Sequence, residues 1–177
     1  MEVFHLQDPW FMEGKDGDFA VRSLETARFG ALEVQEEDVF LFPRGIPAFE
    51  TYSEWILLGE DDKPVKWLQS LSDGDVALPV LPIASSDRAE LGGGSPADVT
   101  SGTEAETHQK NMDMLLVLSV PQGEPWNMTV NLKAPILINK KNRNAYQVVM
   151  ANKNGDLKNY VFDETQRESM IAYIEKA

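Results

Sequence analysis

From Met128 to Asn139 an apolar residue falls at every even position (Met128, Val130, Leu132, Ala134, Ile136, Ile138). The odd positions, Thr129, Asn131, Lys133, Pro135, Leu137 and Asn139, are mostly polar. A period of two is the pattern of a β-strand with one face against a core. Pro135 cannot donate a ladder hydrogen bond, so it belongs at a sheet edge, a bulge or a break where the strand turns a corner. Lys140-Lys141-Asn142-Arg143-Asn144 has turn composition, and alternation resumes with Tyr146, Val148 and Met150. The pattern therefore predicts a long hairpin whose inward residues form the centre of a β-structure.

Shorter strand-like runs precede it, over 20–26, 31–34, 38–42, 55–59, 65–71, 76–81 and 114–120, with turn signals at Ser72-Asp73-Gly74-Asp75 and Gln122-Gly123. Asp163 followed by Gln166 has the spacing of a capping box and opens a short C-terminal helix carrying Met170, Ile171 and Ile174 on one side. The fold class expected is all-β: a single antiparallel β-barrel-like domain over 19–162, with a helix over 163–177. Two stretches lack a core-forming period. Residues 1–18 are polar with scattered Phe4, Trp10 and Phe11 and are expected to form a poorly ordered arm. Residues 84–111, with Gly92-Gly93-Gly94-Ser95-Pro96 and a Ser/Thr/Asp/Glu-rich run, hold too little apolar surface to offset ordering entropy, which predicts a long disordered internal loop.

Composition narrows the function classes. The 177 residues include no cysteine, which excludes disulfides, thiolate metal sites and cysteine nucleophiles. No basic flank with an apolar run marks a secretory signal, and no stretch approaches the roughly 18 apolar residues of a membrane span, so a cytoplasmic location is expected. The formal net charge is −13 and is uneven. Residues 1–130 carry 8 Lys+Arg against 24 Asp+Glu, whereas 131–177 carry 8 against 5. So acidic a body argues against direct nucleic-acid binding and favours a basic protein partner.

Little in the chain carries catalytic chemistry. His5 and His108 lie in the two stretches without a core period, and neither has a triad partner. An enzyme would have to be a carboxylate-based hydrolase, needing two convergent carboxylates in a pocket. A small-ligand or single-strand nucleic-acid barrel would need a cavity or a basic groove, for which the 140–143 turn is the candidate. Glu60-Asp61-Asp62 lacks the spacing of a calcium loop. No catalytic residue, metal site or cofactor is expected.

The second informative stretch is Phe42-Pro43-Arg44-Gly45-Ile46-Pro47-Ala48-Phe49-Glu50. Its prolines fix φ and push Phe42 and Ile46 to extended conformations, while Gly45 permits a positive φ between them. A stiff loop results. Ile46 and Phe49 can plug the core beneath it, making the loop a lid over the open end of a barrel, or the loop can be a pre-ordered recognition surface.

Taken together with Ala27-Arg28-Phe29-Gly30, Trp67-Leu68-Gln69-Ser70-Leu71, Asn131 to Asn139 and Gln147-Val148-Val149, that loop resembles the FliW family of flagellar assembly factors. The order and spacing of the set across residues 27 to about 162 carry the resemblance. Two departures stand out: the family usually has glycine where this chain has Ala48, and the 84–111 run replaces its usual acidic-aromatic segment. What the resemblance implies is a cytoplasmic, non-catalytic protein. It would bind the dimeric RNA-binding repressor CsrA, relieving repression of flagellin mRNA, and would bind flagellin in competition. Partner-binding candidates are Arg44, Gly45, Ile46, Pro47, Phe49, Trp67, Gln69, Asn131 and Lys133.

Overall fold

The structure is a computed structural model that describes residues 21–83, 112–149 and 159–174. The expected arm over 1–18, the loop over 84–111 and Met150 lie outside the described residues. Strands β1 (Val21–Thr26) and β2 (Gly30–Gln35) form an antiparallel hairpin of their own. A second sheet runs in the order β10-β9-β7-β6-β5-β4-β3, made of β3 (Phe40–Leu41), β4 (Glu54–Leu58), β5 (Lys66–Ser70), β6 (Ala77–Ile83), β7 (Met112–Ser119), β9 (Ile136–Asn139) and β10 (Ala145–Gln147). The short β8 (Thr129–Val130) pairs with the end of β7 and with β11 (Asn159–Tyr160). Helix α1 (Glu164–Ile174) follows. Its capping box is formed, Asp163 N donating to Gln166 Oε1 at 2.9 Å and Gln166 N to Asp163 Oδ1 at 2.8 Å.

The large sheet rolls until its end strands meet, but it is not a closed barrel. Leu41 N donates to Arg143 O at 2.8 Å, and a single parallel bridge joins Leu41 to Asn144. The next donor on that edge would be residue 43. It is Pro43, which has no N–H, so the ladder cannot continue. Prolines inside β6 obey the same constraint. β6 pairs with β5 only through Val80 and with β7 only from Val80 onward. Pro79 therefore turns its missing donor toward β7 before that ladder starts, and Pro82 turns its own toward β5 after that ladder ends.

Burial on both faces explains the continuous apolar runs. Phe40, Phe42, Ile46, Trp55, Leu68, Val80, Leu115, Ile136, Ile138 and Ala145 fill the inside of the roll. The β1–β2 hairpin covers the outer face of β4 and β5, where Val34 and Val39 meet Ile56 and Leu58. A third cluster of Met114, Leu116, Leu118, Val130 and Leu137 lies outside β7 and β9. Each fully buried large side chain contributes on the order of 1.5–3 kcal/mol by area.

The alternating run from Met128 to Asn139 is consequently not one strand. Asn131 Oδ1 accepts the N–H groups of Lys133 (3.1 Å) and Ala134 (3.0 Å), and this side-chain turn ends β8. After Pro135 the chain re-enters as β9 with both faces buried. Leu132 thus packs in the outer cluster while Ile136 lies inside the roll. The hairpin to β10 forms as expected, with Ala145 opposite Ile138. Its inward residue is Ala145, fully buried, rather than Tyr146, which is exposed.

Candidate functional site

The loop between β3 and β4 closes one end of the roll by successive tight turns. Gly45 N donates to Phe42 O (2.9 Å), Phe49 N to Ile46 O (2.7 Å) and Tyr52 N to Phe49 O (3.0 Å). Gly45 has φ +65°, and a Cβ there would lie 2.5 Å from Glu50 Cα, so both the turn and the close approach demand glycine. Ala48 has φ +72°, a left-handed conformation that an L residue resists. Its N–H donates to Glu50 Oε1 at 3.0 Å. The backbone N–H groups of Glu50 itself and of Ala48 hold the Glu50 carboxyl below its ordinary value.

Beneath the loop sits an aromatic cluster. Trp55 takes Phe42, Phe49 and Tyr52 at centroid separations of 6.1, 6.2 and 6.3 Å, all edge-to-face. Trp55 Nε1 donates to Tyr52 O at 2.9 Å. Tyr52 donates its hydroxyl to Asp73 at 3.0 Å, which pushes the phenol up from its ordinary value. Ile46 is 2% exposed within the inner core and Phe49 is half-buried against the same cluster. Ile46 and Phe49 therefore plug their own domain. What it presents to solvent is Pro43, Arg44, Pro47, Ala48 and Glu50.

The other sequence-chosen residues lie elsewhere. Trp67 is half-buried on the outer face of β5 against Phe29, with the Arg28 guanidinium 3.6 Å above its ring. Gln69 is fully buried, and its Nε2 faces the carbonyls of Ser70, Asp73, Gly74 and Val76 at 3.0 to 3.4 Å. It fastens the 70–76 turn. Asn131 and Lys133 are half-buried on the turn after β8, tied to β10 by Gln147 Nε2 donating to Ala134 O at 2.9 Å. In the sequence Arg28 stands out only within Ala27-Arg28-Phe29-Gly30; that the β1–β2 hairpin folds it onto Trp67 depends on the tertiary structure.

Two of the three cations of the basic turn, Lys140 and Arg143, face their own chain, and Lys141 is exposed. Lys140 pairs with Asp113 at 2.6 Å, and Arg143 lies 5.0 Å from the Phe40 ring centroid. Burial lowers the Arg143 pKa, opposed by the charges of Asp38 and Glu37. The inside of the roll, where a ligand barrel keeps its cavity, is filled by Phe42, Trp55, Leu68, Val80, Leu115 and Ile136. Among the described residues no group of three His, Cys, Asp or Glu could hold a metal ion, and no helix is long and apolar enough to cross a membrane.

Residues 23–161 match the protein family described as FliW protein. The chain is 32% identical over 145 residues to the flagellar assembly factor FliW of Thermotoga maritima, covering 81% of this chain and 96% of that protein. It is 33% identical over 136 residues to that of Caldicellulosiruptor bescii, covering 76% and 87%. A crystal structure of the flagellar assembly factor FliW superposes with a TM-score of 0.62 at 25% identity, covering 81% of this chain and 99% of that one.

Proposed function

The chain belongs to the FliW family of flagellar assembly factors, and from that premise we propose that it works by a partner switch in the cytoplasm. In this reading it binds a CsrA-like repressor dimer, which frees flagellin mRNA for translation, and it binds flagellin in competition. Accumulating flagellin then releases the repressor, and flagellin synthesis falls; export of flagellin reverses the exchange. The observation that carries the reading is the match over residues 23–161.

Electrostatics supports it. An RNA-binding repressor is basic where it meets phosphate, and this chain has a net charge of −13. Glu25 and Glu33 on the β1–β2 hairpin, Glu36 just after it, and Glu60, Asp61 and Asp62 on the β4–β5 turn are all exposed. Charge of this kind sets the association rate and steers the encounter. The β3–β4 loop gives the encounter a stiff feature, with Arg44 and Pro47 outward and Ile46 and Phe49 holding them from below.

The test is the kinetics of purified chain and purified repressor across a salt series. Raising salt should slow association far more than it speeds dissociation, because exposed charges are screened beyond about 8 to 10 Å. Absence of binding to repressor and to flagellin at micromolar concentration would remove this function from the chain.

A further inference from the structure

We propose that Arg28, held over Trp67, is a preformed receptor for a single carboxylate on flagellin; the class of group rests on the geometry, and only the partner's identity rests on the function proposed above. The guanidinium lies 3.6 Å from the centroid of the Trp67 ring, and Phe29 backs that ring edge-on at 6.4 Å. Stacking uses the flat face of an arginine and none of its N–H donors, which stay in a fixed fork matched to a carboxylate.

The fork sits on a rigid turn. Thr26 Oγ1 accepts Phe29 N at 2.9 Å and donates to Gly30 O at 3.0 Å, and Gly30 has φ +69°. From the other side Ala27 N donates to Gly74 O at 3.1 Å, and Gly74 packs so closely on the Glu25 carbonyl that a Cβ would collide with it. The backbone beneath Arg28 is therefore fixed, and the stack on Trp67 lowers the rotamer entropy that its side chain loses on binding.

Among the described residues no group takes up the fork. Arg28 pairs with no carboxylate among the described residues, although Glu25 and Glu33 are exposed on the same hairpin, where Arg22 pairs with Glu36 and Glu54. A basic repressor drawn to that acid gains nothing from a guanidinium within it, so of the two proposed partners the carboxylate falls to flagellin. The surrounding acid in turn repels a densely acidic contact, so the site selects one carboxylate on an otherwise neutral or basic patch.

The experiment measures the affinity of the full chain and of three variants for purified flagellin and, separately, for purified repressor. Arg28→Met keeps a stem over Trp67 and loses the fork, Arg28→Lys keeps the charge and loses the fork, and Arg28→Ala removes both. All three should bind flagellin at least about tenfold more weakly, bind the repressor as tightly as before or tighter, and keep the unaltered circular dichroism spectrum. Flagellin binding by Arg28→Lys at the unaltered affinity would overturn the assignment, as would an equal loss toward both partners. If the unaltered chain binds neither protein, the proposed function falls and takes this partner with it; if it binds flagellin and Arg28→Met binds equally, only the carboxylate receptor falls.

Discussion

Ala48 and Glu50 hold each other in place: the Ala48 N–H donates to the Glu50 carboxylate at 3.0 Å while Ala48 sits at φ +72°. A left-handed alanine costs about 1–2 kcal/mol against the right-handed alternatives, so the loop keeps a strained residue at position 48. Replacing it by glycine relieves the strain but frees the unfolded chain, which returns about 0.5–1 kcal/mol of that gain. Ala48→Gly should therefore raise the urea midpoint by the equivalent of roughly 0.5–1 kcal/mol with an unchanged slope. A lowered midpoint would mean that the loop does not need the left-handed turn.

The same pair sets a pH response. The Glu50 carboxyl is held below its ordinary value of 4.5 in the folded chain by the N–H groups of Glu50 and Ala48. A depressed carboxyl adds stability that is complete above the unfolded value and is lost as pH falls through the folded one. Between neutral pH and about pH 5 its contribution should be flat, and it should fade at more acid pH. In Glu50→Gln that acid-side loss should shrink; identical pH profiles of the thermal midpoint for both chains would contradict it.

Within the loop, Gly45 and Ile46 should report on folding before binding. Ile46→Ala empties a buried site in the inner core and should cost about 2–5 kcal/mol. Gly45→Ala forces a Cβ toward the Glu50 backbone and should also destabilise markedly. Arg44→Ala and Pro47→Ala touch exposed side chains, and each should leave stability within about 0.5–1 kcal/mol. Equal effects in chemical denaturation across the four variants would show that the loop does not plug the roll.

Ile136→Ala should cost about 2–5 kcal/mol, and the half-buried Leu132→Ala less. Because the two side chains belong to different clusters, their costs should add in the double variant. A coupling above about 0.5 kcal/mol would place them in one core.

The positions of the strands were legible because most are bounded by turn chemistry that leaves few alternatives. β4, β5, β6 and β7 fall on runs the pattern marks, and Asp163 with Gln166 marks the helix start. Facing was less legible. Alternation reports one buried face, and β9 has two, so Leu137 and Ile136 are equally apolar while packing on opposite sides. The break at Asn131 depends on a side chain accepting two N–H groups, which competes with the strand and leaves the alternation intact. For the loop, stiffness was readable from Pro43, Gly45 and Pro47. The inward aim of Ile46 and Phe49 depends on Trp55, which lies on the next strand.

The exchange of partners is tested most directly by titrating purified flagellin into a preformed complex of this chain with a fluorescently labelled repressor dimer, followed by anisotropy and size-exclusion chromatography. Each equivalent of flagellin bound should release repressor, with no species containing all three proteins. A stable ternary complex, or repressor that stays bound at saturating flagellin, would contradict the partner switch.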